Sequence, residues 1–209
     1  MLIILEGFDN SGKSTLGQQL QSLLDWNLIH STGFHDLGKM EDFLWGVLEK
    51  SQRGNLIVDR ISLISEDIYG PIMRGKSMYS FHRWLTWWER FERLNPLIIF
   101  CDPPLSQVQA TFGERAQETV GGQLAPKATA IIHAYRRFFA TKLPHMFPSL
   151  AIHTYDYTDD FAKHKLLGIL LAANCNPTGE FITAITTKLE VIQGEHRRRA
   201  DLTTSRRRR

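Results

Sequence analysis

Four consecutive apolar residues, Leu2-Ile3-Ile4-Leu5, run straight into Glu6-Gly7-Phe8-Asp9-Asn10-Ser11-Gly12-Lys13-Ser14-Thr15. A short unbroken apolar run of this kind reads as a strand buried on both faces of a parallel sheet. The stretch from Gly7 to Ser14 matches the pattern G-x-x-x-x-G-K-[ST] in full, and helical periodicity follows over residues 13–25. Strand, glycine-rich loop and helix in that order restrict the chain to an α/β architecture with a phosphate-binding loop at the end of its first strand.

Each part of the loop has a physical task. Gly7 and Gly12 let the backbone curl, so that N–H groups of Phe8, Asp9, Asn10 and Ser11 can converge on phosphate oxygens. The following helix adds its N-terminal dipole. Lys13 supplies a point charge for the β- and γ-phosphates, Thr15 stands beside the α-phosphate, and the Ser14 hydroxyl can ligate Mg²⁺. The expected ligands are therefore ATP and Mg²⁺, with residues 7–15 as their cradle.

The rest of the chain alternates strand and helix. Leu28-Ile29, Leu56-Ile57-Val58, Leu97 to Cys101 and Ala151 to Tyr155 are strand candidates. Asp36 is placed to cap a helix whose apolar positions are Met40, Phe43, Leu44, Val47 and Leu48. Further helices are predicted over 61–69, ending near Gly70-Pro71, and over 78–94, 105–112, 127–141 and 159–172. This pattern predicts a doubly wound P-loop NTPase-type parallel sheet flanked by helices. Residues 1–193 are expected to form that domain, with a lid over about 113–125. Residues 194–209 are expected to be a disordered Arg-rich tail.

Composition sets limits. No apolar run approaches the ~20 residues of a membrane span, and the first strand lacks the flanks of a signal peptide. Cys101 and Cys175 are isolated, which fits a reducing, cytoplasmic setting. The net charge of +3 conceals an asymmetry. Residues 188–209 carry eight basic and three acidic side chains, or +5, so the body of 187 residues carries about −2. Arginines 197–199 and 206–209 suit contact with nucleic-acid phosphates, with a solubilising tail as the alternative. An oligomer is compatible with the sequence.

Beyond the loop, Asp59-Arg60 closes a strand at the sheet end where open α/β folds bind ligands. Asp59 can hold Mg²⁺ or orient an acceptor hydroxyl, and Arg60 can hold a phosphate. Arg115 opens the lid candidate and can bring a cation to the transferring group. Trp84, Trp87 and Trp88 lie at helical spacing, which reads first as core and second as a platform for stacked bases. His133, His145, His153 and His164 show no ligand spacing.

The opening from Glu6 to Thr15 resembles the E-G-x-D-G-x-G-K-S-T loop of the thymidylate kinase family. Asp59-Arg60 with Ser65 is similar to that family's D-R-x-x-x-S segment, and Asp102-Pro103-Pro104 to its L-D-x-P stretch. The likeness spans roughly residues 1–172. It implies an ATP-dependent kinase, with Asp9 near the acceptor, Arg60 near its phosphate or sugar, and Arg115 in the lid. Two departures stand out. The family's T-R-E-P segment, whose arginine clamps the acceptor 5′-phosphate, corresponds here to His30-Ser31-Thr32-Gly33-Phe34-His35, and the basic tail has no counterpart. The run from Asp59 to Pro71 resembles bacteriophage members, among them the 5-hydroxymethyluracil DNA kinases that phosphorylate a hydroxymethyl group already in DNA, a step in thymidine hypermodification. A missing monophosphate clamp and a polycationic arm suit DNA containing that modified thymine. The alternatives are a kinase of free pyrimidine deoxynucleotides such as dTMP and a nucleic-acid-associated P-loop ATPase. For a guanine-reading switch, the chain lacks an N-K-x-D element.

Overall fold

The computed structural model describes residues 1–31, 36–114, 125–159 and 161–173. The chain divides into two units after His164, and the first, Met1–His164, is compact. The strands of the first are β1 (Leu2–Glu6), β2 (Asn27–His30), β3 (Leu56–Asp59), β4 (Leu97–Cys101) and β5 (Ala151–Tyr155). Between them run α1 (Lys13–Leu24), α2 (Leu37–Arg53), α3 (Ser62–Arg74), α4 (Phe81–Glu92), α5 (Leu105–Glu114), α6 (Ala128–Arg137) and the short α7 (Leu143–Met146). A final helix, α8 (Ala162–Ala173), crosses into the second unit.

The five strands are all parallel, in the order β2-β3-β1-β4-β5. The three inner strands are buried along their whole length, as unbroken apolar runs require; edge strands β2 and β5 are partly exposed. Connections from β1 go to one side of the sheet and those into β4 to the other. The loops at the strand C-termini part beside β1 and leave a crevice there.

Local signals account for some helix ends. The Asp36 side chain accepts a hydrogen bond from the Lys39 amide at 3.0 Å and caps α2, whose buried face is Met40, Leu44, Val47 and Leu48. Phe43 packs at the margin of that core. Trp84, Trp87 and Trp88 are buried on α4, so the aromatic stripe is core and not a base-stacking platform. Phe81, at the same spacing, is 63% exposed and only leans on Trp84.

Two expected helix ends move. α3 does not stop at Gly70-Pro71 but continues to Arg74. A proline inside a helix costs about 3 kcal/mol, and tertiary ties offset it here. The Glu66 carboxylate accepts from the Arg74 guanidinium and, at 2.8 Å, from the Met78 amide, and so binds the last turn to the following loop. Gly70 leaves room for it, since a Cβ there would lie 2.6 Å from Glu66 Oε1. Likewise, the helix expected over 127–141 runs on from α6 through a π-helical turn (Phe138–Lys142) into α7, with Phe139 stacked on Phe100 at 4.3 Å.

α5 reaches Glu114, so the start of the expected lid is helical. Arg115, the rest of that lid to residue 124, the domain boundary near 193 and the basic tail lie outside the described residues. No helix among the described residues is long and apolar enough to cross a membrane. Cys101 is buried as a free thiol.

Candidate active site

The loop after β1 leaves the sheet at Gly7, whose φ of +147° belongs to glycine; a Cβ here would sit 2.5 Å from the Cys101 carbonyl oxygen. It re-enters helix at Gly12 (φ +85°), which occupies the N-cap position of α1 with no side chain capping the first turn. The N-terminal amides of α1 therefore face the crevice ready for an anion. A Cβ on Gly12 would meet the Tyr157 ring at 2.9 Å, so the aromatic ring packs directly against the loop.

The resulting cleft has a volume of about 730 Å³, and its wall includes Asp9 to Thr15, His30, Asp59, Arg60 and Tyr157. Lys13 is buried and its Nζ donates to the Phe8 carbonyl at 2.6 Å and to Ser11 Oγ at 3.3 Å. Burial and the nearby Arg60 charge push its ammonium down to about 8, partly offset by Asp9, Cys101 and Asp59. A polyphosphate beside it would reverse that push, because its negative charge favours the protonated amine.

Asp59 stands at the end of β3. The Ser14 hydroxyl donates to Asp59 Oδ2 at 2.7 Å, and His30 Nδ1 lies 3.0 Å from the same oxygen. A hydroxyl and a carboxylate are hard oxygen donors, which fits Mg²⁺. Among the described residues no cluster of three or more His, Cys, Asp or Glu side chains is built to hold an ion. Phosphate and water would have to complete the shell, which is the coordination this ion favours.

Arg60 takes a left-handed conformation, φ +72°, uncommon for a side chain of its size. Three contacts hold it: its amide donates to the Leu5 carbonyl at 2.9 Å, and Nη2 donates to the Gly7 carbonyl at 3.0 Å and to Asp9 Oδ1 at 3.1 Å. Tyr69, from α3, donates to the other Asp9 oxygen at 2.8 Å and carries the Arg60 guanidinium 5.3 Å over its ring. Burial pushes the Asp9 carboxyl up, but Arg60, Lys13 and the Tyr69 hydroxyl outweigh it and hold it below its usual value.

Beneath the loop lies Glu6, fully buried. Its Oε1 accepts from the Ile61 amide at 2.7 Å, and its Oε2 accepts from Tyr135 and the Gly7 amide, both at 3.3 Å. One carboxylate thus ties the start of the phosphate loop to the β3–α3 connection. Burial pushes it up from 4.5 to about 7, against the pull of Arg60, the Ile61 amide, Lys13 and the Gly7 amide. The folded protein keeps this proton where the unfolded chain has lost it. The linked stabilisation is complete below about 4.5 and fades as pH rises through about 7. Urea unfolding of wild type and Glu6→Gln near pH 5 and pH 8 should show the variant gaining on wild type by up to about 3 kcal/mol at the higher pH. A difference that stays constant with pH would remove Glu6 as the source.

The structure brings Asp9 to Thr15, Asp59 and Arg60 to the wall of one cleft, while Gly7 lies behind it and the Phe8 side chain is buried in the core. It adds Tyr69, His30, Tyr157 and Glu6. Only Glu6 carried a readable signal, a charge at the end of an otherwise apolar buried strand; the others reach the site through the tertiary fold.

No protein-family model matches the sequence, and no curated protein matches it. Solved structures do. YorR from Bacillus subtilis, in complex with phosphorylated GDP, superposes with a TM-score of 0.57 at 19% identity, over 83% of this chain and 98% of that one. Deoxyadenosine kinase from M. mycoides with the products dCMP and dCDP superposes with a TM-score of 0.52 at 14% identity, over 84% and 100%. The same kinase with dATP gives 0.50 at 12% identity, over 83% and 100%. This chain has the P-loop nucleotide-kinase fold. At these identities the likeness carries the fold and no residue's role, so roles rest on the geometry above.

Proposed function

We propose that the protein is an ATP-dependent phosphotransferase acting on a nucleotide-type acceptor. The observation that carries this reading is the Lys13–Ser14–Asp59 arrangement: a buried ammonium at an uncapped helix N-terminus, beside a hydroxyl–carboxylate pair 2.7 Å apart. Such a site binds a triphosphate at one end and leaves the Asp59–Arg60 end for an acceptor.

The chain's own residues do the following. The loop and α1 amides hold the phosphates, and Lys13 neutralises charge on the β- and γ-oxygens. Ser14 and Asp59 would hold Mg²⁺, which when bound screens the charge between those oxygens. Asp9 and Tyr69 fix the Arg60 guanidinium at the acceptor side. In phosphoryl transfer, positioning and charge placement account for most of the rate, so a preset cation is worth more than a mobile one.

For the acceptor we favour the hydroxymethyl group of 5-hydroxymethyluracil in DNA, on the lack of an arginine over residues 30–35 and the seven arginines of the tail. The second reading, a free deoxynucleotide such as dTMP, is favoured by the dCMP, dCDP and dATP bound by the similar kinase. Incubation with γ-labelled ATP and, in parallel, dTMP, hydroxymethyl-dUMP, plain DNA and hydroxymethyluracil DNA separates them. We expect label on hydroxymethyluracil DNA. Label on dTMP alone would select the second reading, and loss of ATP with no labelled acceptor would leave an ATPase.

A further inference from the structure

We propose that one face of α2 and α4, carrying Trp45, Arg90 and Arg93, binds single-stranded DNA that leads away from the active site. This rests on the reading of DNA as the acceptor and adds where the polymer lies outside the crevice. Helix α2 joins the parallel neighbours β2 and β3, so it starts at the C-terminal end of the sheet and runs back to the other end. The Arg83 guanidinium, in the first turn of α4, donates twice to the Glu41 carboxylate in the second turn of α2. Helix α4 ends shortly before β4 begins, so the two helices run side by side in the same direction. Their first turns stand at the sheet end where β3 delivers Asp59 and Arg60, the acceptor end of the cleft.

A groove of about 480 Å³ lies between them, with Trp45, Thr86 and Arg90 on its wall. Trp45 is 52% exposed, unlike the buried tryptophans of α4. Its ring meets Trp87 at a centroid distance of 5.2 Å and an angle of 70°. The Arg90 guanidinium carbon sits 4.5 Å from the Trp45 centroid and 5.0 Å from that of Trp87. Trp87 is fixed in turn, because its Nε1 donates to Glu41 Oε1 at 2.9 Å. The indole of Trp45 is thus held in place without being covered. Positions 83, 86, 90 and 93 share one face of α4. Among the described residues neither Arg90 nor the exposed Arg93 forms an ion pair. The carboxylates beside Trp45 are already engaged, Glu41 by Arg83 and Glu49 by Arg53. Glu89 is turned about 100° around the helix from Arg90.

An open indole beside unpaired guanidiniums suits a strand with unstacked bases. A base stacks on an aromatic face whatever its sequence, and guanidiniums pair with the phosphates on either side of it. From Arg83 to Arg93 the helix rises about 15 Å, over which a DNA strand carries about four phosphates at roughly 3.4 Å each. Enzymes that take a DNA base into a cleft act on single strands or flip the base out; the exposed Trp45 ring favours the first. Charge decides against a second copy of this chain. A two-fold contact through this face would set Arg90 and Arg93 against the same arginines of the other copy, with no carboxylate free on the stripe to receive them.

The test uses the full chain, with its basic arm intact, and a fluorescein-labelled unmodified single-stranded oligodeoxynucleotide, read by anisotropy over a series of salt concentrations. Trp45→Ala should weaken binding by at least about fivefold, and Trp45→Phe, which keeps an aromatic face, should stay within about twofold of wild type. Arg90→Gln combined with Arg93→Gln should weaken binding and flatten the slope of log Kd against log salt by about 1.4, two phosphate contacts at about 0.7 each. All three proteins should keep the ATP affinity and melting temperature of wild type, since none of these side chains lines the active-site cleft. Unchanged DNA binding in every variant would overturn the inference and leave DNA standing as the acceptor. A wild-type protein that binds no DNA would overturn it as well, and the labelled-acceptor assay, which reads transfer and not affinity, then decides the acceptor separately. A free protein that sediments as a dimer, and as a monomer once Trp45 is Ala, would assign the face to a second copy and remove the DNA contact.

Discussion

Lys13→Ala should lower phosphoryl transfer by at least about 10³-fold while the protein still melts within a few degrees of wild type. The lysine is buried against the loop it serves, and its own hydrogen bonds there reach only the Phe8 carbonyl and Ser11 Oγ. Burial works against its charge, pushing it down to about 8. Removing it therefore relieves a desolvation cost of the same order as the contacts it gives up, and the fold gains or loses little. Function is different, because among the described residues no other lysine lines the cleft and Arg60 is committed to Gly7 and Asp9. The developing negative charge on the γ-phosphoryl group would lose its nearest cation. Label transfer from γ-labelled ATP, read beside a circular dichroism melt, checks both halves. A fully active Lys13→Ala protein would end the account of the site.

Gly7→Ala should destabilise the protein by about 2–4 kcal/mol, lowering Tm by roughly 5–15 °C, and should abolish triphosphate binding. Two independent penalties meet at this residue. Its φ of +147° is a region side chains avoid, and the added Cβ would meet the Cys101 carbonyl oxygen at 2.5 Å and Ser11 Oγ at 2.7 Å. The first obstacle is backbone of the inner strand β4 and cannot swing aside. The loop would have to lift away from β4, which also breaks the bond from Arg60 Nη2 to the Gly7 carbonyl. Gly46→Ala is the control, since nothing lies within 4 Å of a Cβ there and the residue is mid-helix in α2. That change should stabilise by about 0.5–1 kcal/mol. Equal melting temperatures for the two variants would show that the turn tolerates a side chain.

The contrast between these glycines bears on what could be read from the chain. Both are single letters in the sequence, and only the motif around Gly7 distinguished it. The same holds elsewhere. Asp36 announced the start of α2 because a cap acts on amides three residues away. Pro71 announced an end that did not come, because Glu66, Arg74 and Met78 are brought together by the turn that follows. The helix expected over 78–94 formed, but its spacing did not set how deep each aromatic residue lies. Phe81 lies in the first turn, where the helix has not yet reached the core.

What the sequence determined by itself was the strand, the glycine-rich turn and the helix of residues 2–24, with Lys13 and Ser14 at their junction. Those interactions join near neighbours, so their energies are set by residue type and spacing alone. The pairing of His30 and Ser14 with Asp59, across 29 and 45 residues, and of Tyr69 with Asp9 across 60, was decided by the tertiary structure. Such contacts arise only when parallel strands stack in the order β2-β3-β1-β4-β5 and bring their C-terminal ends to one crevice. That order follows from how the whole core packs, and no local stretch of sequence contains it.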